Sequence, residues 1–209
     1  MNQEASTRNM ILNMLKLKSS LSVSEMAKQL NITEMAVRRH LNTLDRDELI
    51  TSDLIRKSMG RPTHVYSLTK KADDLFPKNY HKFTLDILDE LVSEFGNDAV
   101  EKLFEGRENK LFLKYDDRMY GKDLEKKVEE LVEIQKETGY MAEFDINDEG
   151  NYILMEYNCP IAQVANQYQQ ACECELSLFK KLLETDVERT ECIAKGGNKC
   201  TYIVQNNEN

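Results

Sequence analysis

The chain has 209 residues, a net charge of -9 and five cysteines, a length that suits two modest domains, each with its own core. An odd number of cysteines without a secretory signal argues against a disulfide framework, and none is expected. No apolar run approaches the eighteen or more residues of a membrane span, so the expectation is a cytoplasmic protein with no membrane partner. The charge is uneven: residues 1–80 carry 13 Lys+Arg against 9 Asp+Glu (+4), and residues 81–209 carry 15 against 28 (-13). Any nucleic-acid surface is therefore expected in the first 80 residues, because phosphate repels the acidic remainder.

Met10, Ile11, Met14 and Leu15 form one stripe, which predicts a first helix over residues 7–17. Ser22-Val-Ser-Glu25 is a capping box opening a short second helix through Leu30. Thr33 is placed to cap a third helix running to about Glu48, which completes a helix-turn-helix. In that third helix Val37, Leu41 and Leu44 face inward, while Glu34, Met35, Arg38, Arg39, Asn42 and Arg46 face out. Adjacent arginines and an asparagine on an exposed face suit base edges and phosphates in a major groove. Two strands, Leu49–Ile55 and Thr63–Leu68, then flank Arg56-Lys-Ser-Met-Gly-Arg-Pro62, and a basic hairpin beside a recognition helix reads as a wing. The residues expected to touch double-stranded DNA are Thr33, Met35, Arg38, Arg39, Asn42 and Arg61.

The domain boundary is expected within Lys70–Tyr80, giving a winged-helix domain at 1–76 and a second domain at 77–209. Helices are predicted over Phe83–Phe95, Asp98–Arg118 and Lys122–Thr138, a charge-rich set of the kind that packs a dimer. Strands at Tyr140–Ile146 and Tyr152–Tyr157 follow. The fold class is α+β, with an N-terminal winged helix-turn-helix, a helical dimerisation region and a small α/β sensor domain.

Every cysteine lies beyond residue 158: Cys159, Cys172, Cys174, Cys192 and Cys200. No C-x-x-C pair occurs, which removes support for a thioredoxin-type motif or a zinc ribbon. Residues 161–183 read as one amphipathic helix with Cys172 inward and Cys174 about 200° away around the axis. Val187–Ala194 and Lys199–Val204 read as strands joined through Lys195-Gly-Gly-Asn198. In a regular hairpin Ile193 faces Cys200 and Cys192 falls on the other face; a bulge would reverse that parity. This geometry predicts that Cys159, Cys172 and Cys200 converge. Thiolates are soft ligands for iron–sulfur clusters, zinc or copper(I), and the helix N-terminus after Cys159 is expected to favour its thiolate. A fourth position is left to Cys174, Cys192, Glu173 or Glu175.

The segments Arg38-Arg-His-Leu41, Gly60-Arg-Pro62 with Val65-Tyr-Ser-Leu68, Phe76-Pro77 with Tyr80, and Asn158-Cys-Pro-Ile161 leading to Cys172-Glu173 and Cys200 resemble SufR-type repressors. These are winged-helix regulators of iron–sulfur cluster assembly genes. The resemblance implies a homodimeric repressor that binds an inverted repeat while its cluster is intact and releases it on iron shortage or oxidation. It also implies Cys159, Cys172 and Cys200 as ligands of an iron–sulfur cluster of the 4Fe-4S type. Cyanobacterial members carry a further cysteine where this chain has Asp186. The rival reading keeps the DNA reader and makes the cysteines a zinc site or a thiol–disulfide switch. An enzyme is not expected: no phosphate loop, H-E-x-x-H or G-x-S-x-G occurs, and His40, His64 and His81 all lie in or beside the first domain.

Overall fold

The computed structural model describes residues 3–56 and 62–206, and the chain divides into two units between Lys78 and Asn79. Both mix helix and sheet. Among the described residues no helix is long and apolar enough to cross a membrane.

The N-terminal unit runs α1 (Gln3–Lys18), β1 (Ser20–Ser22), α2 (Val23–Leu30), α3 (Glu34–Arg46), β2 (Ile50–Ile55) and β3 (Thr63–Leu68), then a short 3-10 turn over Lys70–Leu75. The capping box forms on both sides. Glu25 N–H donates to Ser22 Oγ at 3.4 Å, and Ser22 N–H donates to Glu25 Oε2 at 2.7 Å, which satisfies donors a helix start otherwise leaves open. Asn31 ends α2 in the left-handed region, and Thr33 Oγ1 accepts from Ala36 N–H at 3.2 Å to start α3. This sharp turn is the helix-turn-helix corner. Ile11, Leu15, Met26, Val37, Leu41, Leu44 and Ile50 fill the core. The antiparallel sheet has the order β1-β3-β2, so the wing strands β2 and β3 are anchored by a third strand not anticipated from the sequence.

The C-terminal unit contains α4 (Tyr80–Phe95), α5 (Asn97–Met119), α6 (Leu124–Glu137), β4 (Ala142–Ile146), β5 (Tyr152–Glu156), α7 (Ala162–Ala165), α8 (Gln170–Leu183), β6 (Val187–Glu191) and β7 (Cys200–Val204). Its antiparallel sheet has the order β4-β5-β7-β6. Alternation sends Tyr152, Leu154 and Glu156 of β5, and Cys200, Tyr202 and Val204 of β7, to the buried face. The core there is built around Phe179 of α8, whose ring meets that of Tyr202 edge-on at 5.0 Å.

The single helix expected over 161–183 is two helices. Asp89 of α4 accepts from Gln167 Nε2 at 2.7 Å and from the Tyr168 hydroxyl at 2.5 Å, and this tie holds residues 166–169 in a turn. Tertiary bonding overrides the periodic pattern at that point.

Ser22→Ala removes the hydroxyl half of the cap and should lower the stability of the N-terminal unit by about 1 kcal/mol. Thermal unfolding followed by circular dichroism should report an earlier transition with the native spectrum unchanged at low temperature.

Candidate functional site

In the N-terminal unit the exposed face of α3 carries Thr33, Met35, Arg38, Arg39 and Asn42. Met35 is 76% exposed, a position an apolar side chain takes in the absence of a partner. Thr33 uses its hydroxyl as the cap, so what it offers a ligand is its place at the helix N-terminus. Arg38 leans 3.7 Å from Glu34; an exposed pair one helical turn apart is worth little and exchanges readily for phosphate. The backbone carbonyl of Arg39 accepts the Thr43 hydroxyl at 3.1 Å. Ser24, Arg38, Pro62 and His64 line one groove between the helices and β3. Arg61 lies outside the described residues.

In the C-terminal unit four of the five thiols gather at one end of the sheet. Asn158 Nδ2 donates to the Gly139 carbonyl at 2.6 Å, and a side chain at Gly139 would meet Pro160. Those two contacts seat Cys159 between β5 and α7. Cys172 projects from the first turn of α8, where Arg189 donates to its carbonyl at 2.7 Å and to Glu173 Oε1 at 2.7 Å. Cys200 opens β7 and accepts from Ile193 N–H at 3.4 Å.

Cys192 corrects the expected hairpin parity. A register shift between Arg189 and Glu191 pairs Glu191 with Thr201, so the following residue, Cys192, comes beside Cys200. Its Sγ stands 3.9 Å from Cys172 Sγ. The extra residue of a bulge turns the strand by one face.

Burial, more than any neighbour, holds these groups protonated. The Cys159 thiol is pushed up to about 11 by desolvation, against a lowering bond from Ile161 N–H. The Cys200 thiol is pushed up to about 12 by desolvation, against the bond from Ile193 N–H. Cys172 is raised by burial and then by Cys192. The helix after Cys159 has only four residues, so its dipole does little against this desolvation. Cys174 is also buried, but on the α5 side of α8, near Arg107 and Glu108.

Two carboxylates escaped the sequence reading or were underused by it. Glu156 is 0% exposed and lies opposite Cys200 in the sheet. Its Oε1 accepts from Gln135 Nε2 at 2.6 Å, and its Oε2 has no partner. Glu175 accepts from the Tyr202 hydroxyl at 3.0 Å. Desolvation raises both well-buried carboxyls above their ordinary range. The Tyr152, Leu154, Glu156 alternation was the signal for the first of them. Among the described residues no three Cys, His, Asp or Glu side chains stand close enough to hold one metal ion. A single tetrahedral zinc draws its thiolates to about 4 Å from one another, whereas a cluster spreads them over several irons. The donor set is one of soft sulfurs, two of them accepting backbone N–H bonds, and its chemistry suits an iron–sulfur cluster or a thiophilic ion. Asp186, at the place of the further cysteine in SufR-type proteins, is exposed.

Residues 5–52 match the family model described as bacterial regulatory protein, arsR family, a span that covers α1 through the start of β2. Among solved structures, a Lactococcus lactis ZitR mutant in apo form is 25% identical, covering 54% of this chain and 84% of that one, with a TM-score of 0.32. A ZitR mutant in complex with DNA is 26% identical over 51% of this chain and 74% of that one, with a TM-score of 0.30. The adhesin competence repressor AdcR of Streptococcus pyogenes is 22% identical over 55% and 81%, with a TM-score of 0.31. Scores this low add nothing to the argument. No curated protein is significantly similar to the chain.

The Glu156 carboxyl gives a pH signature in the metal-free chain. Its folded value is raised above the ordinary 4.5, so above that pH the unfolded chain releases a proton that the folded chain retains, and stability falls as pH rises. Glu156→Gln removes this dependence. Urea unfolding at a series of pH values should show the variant gaining on the parent as pH rises above about 4.5; a gap independent of pH would mean that Glu156 ionises freely in the folded state.

Proposed function

We propose that this DNA-binding transcriptional regulator, whose reader at residues 5–52 matches the arsR family model, binds an iron–sulfur cluster through Cys159, Cys172 and Cys200 and represses cluster assembly genes while that cluster is present. The observation that carries the reading is the approach of three thiols, far apart in sequence, to one common neighbour, with Cys172 and Cys200 buried and Cys159 half-buried. Cys192 touches Cys172, flanks Cys200 across the hairpin, and raises the thiols of Cys159 and Cys200 by its proximity.

Bound there, a cluster of the 4Fe-4S type supplies a group that iron shortage or oxidation removes. The chain's residues set the conditions for that. Asn158 and Pro160 fix the Cys159 loop against Gly139, Arg189 locks the start of α8 to β6, and backbone N–H groups of Ile161 and Ile193 stand ready to stabilise sulfur charge. Ligation requires the thiols to ionise, so cluster binding must overcome the burial that keeps them protonated. A site of that kind empties completely once the metal is withdrawn.

The regulator acts as a homodimer in this reading. Tyr80, Phe83 and Ile87 share one face of α4 and are 71%, 65% and 51% exposed, an apolar stripe that a second copy would cover. Two readers related by a twofold axis fit an inverted-repeat operator. A second reading has one observation in its favour: the 3.9 Å contact of Cys172 and Cys192 suits a thiol–disulfide switch.

Anaerobic purification separates the two. The cluster reading expects a brown protein with a broad visible band and with iron and sulfide in equal amounts. Cys159→Ser, Cys172→Ser and Cys200→Ser should each abolish that band, and Cys174→Ser should leave it intact. A colourless wild type whose Cys172 and Cys192 pair on oxidation would sink the cluster and leave the switch.

Arg39→Ala should weaken binding to promoter DNA of assembly genes at every salt concentration and make the salt dependence shallower by about one counterion. Iron content should not change. Unaltered affinity and slope would take Arg39 off the contact surface.

A further inference from the structure

The cluster reading names three sulfurs, and the structure brings up a fourth. We propose that Cys192 is the fourth thiolate of the site, so that Cys159, Cys172, Cys192 and Cys200 form a closed four-sulfur set with no open iron. This inference rests on the cluster reading above and deepens it.

The hairpin is built to deliver this side chain. The shift between Arg189 and Glu191 places Cys192 beside Cys200, and without it the thiol would face the other side of the sheet. The Cys192 carbonyl accepts from Lys195 N–H at 3.1 Å and from Gly197 N–H at 2.9 Å. A Cβ on Gly197 would come within 2.8 Å of Glu191 Cγ and 2.9 Å of that same carbonyl, so only glycine lets the tip fold back this closely. Glu191 Oε1 accepts from Asn198 N–H at 2.9 Å and closes the loop. Arg189, Cys192, Lys195, Gly196 and Gly197 line a depression at the surface.

The rivals for the fourth position are otherwise engaged. Cys174 lies on the far side of α8, in a groove formed with α5. Glu173 is held by Arg189 at 2.7 Å, and Glu175 accepts from Tyr202 at 3.0 Å. Glu156 keeps a buried oxygen without a partner, which makes it an oxygen donor to be tested against Cys192. Sulfur has the better claim on chemical grounds, since thiolate is the softer ligand for iron–sulfur cores.

The experiment uses the full chain reconstituted anaerobically and followed by Mössbauer spectroscopy, iron analysis and iron loss to a chelator. Wild type should show no iron set apart from the others, and excess cyanide, a probe for an open iron, should leave its spectrum unchanged. Cys192→Ser should lose iron to the chelator faster by roughly tenfold or more, with one iron distinguished or the cluster gone and its circular dichroism native. Cys174→Ser and Glu156→Gln should match wild type in both spectrum and rate. A Cys192→Ser protein indistinguishable from an iron-loaded wild type overturns the fourth ligand and leaves the three-thiolate reading standing. So does a Glu156→Gln change that Cys192→Ser lacks. If Cys192→Ser does not fold, the cyanide test on wild type decides, and a shifted spectrum overturns the proposal. A wild type that takes up no iron overturns both readings together.

Discussion

The C-terminal unit depends on a constraint of strand geometry: successive side chains of a strand alternate between faces, and the buried face of β5 and β7 takes every second residue whatever its chemistry. Tyr152 and Leu154 belong in a core. Glu156 does not, yet it occupies the next inward position, directly opposite Cys200. The sheet therefore ends in a carboxyl and a thiol facing the same interior, and α8 adds Cys172 and Glu175 to that end. Burying an unpaired polar oxygen such as Glu156 Oε2 costs on the order of 1–3 kcal/mol, and hydrophobic residues there would pack without that loss. That cost falls at the end of the sheet where the thiols also stand.

Protonation is how the side chains tolerate this crowding. Desolvation raises the thiols of Cys159, Cys172 and Cys200 and the carboxyls of Glu156 and Glu175 together. Neutral thiols and acids can share a small volume that their anions could not. Arg189 is the buried cation nearest this group, but it is committed to Glu173 and to the Cys172 carbonyl. Raised thiols are the opposite of what a reactive nucleophilic cysteine needs, which is a lowered pKa.

Much of the N-terminal unit was legible because its signals are local. The Ser22–Glu25 box, the Thr33 cap and the Val37, Leu41, Leu44 stripe each lie within one or two helical turns, and each appears as read. The strand β1 was missed because three residues, Ser20–Ser22, carry no period and owe their conformation to pairing with β3. In the C-terminal unit the three early helices and four strands follow their patterns, while the long helix does not, because Asp89 is 78 and 79 residues away in sequence from the two side chains it ties down. The cysteine grouping was visible as a bias of the sequence. The parity of Cys192 was not, because a one-residue shift in the hairpin leaves no periodic trace and changes which face every later side chain takes.

The distribution of charge links the two units without any statement about how they are arranged. The first 80 residues are net basic, and the rest are strongly acidic. An acidic domain attached to a DNA reader lowers affinity for DNA in general through long-range repulsion, so binding that survives it must rest on specific contacts. If the regulator acts as the proposed homodimer, losing one reader forfeits the gain from tethering, and the acidic half, by removing non-specific attraction, would leave DNA occupancy dependent on the state of that pair. The proposed guest would give that state a chemical origin, because filling or emptying a site of several thiolates makes or breaks several ligand bonds at once rather than one.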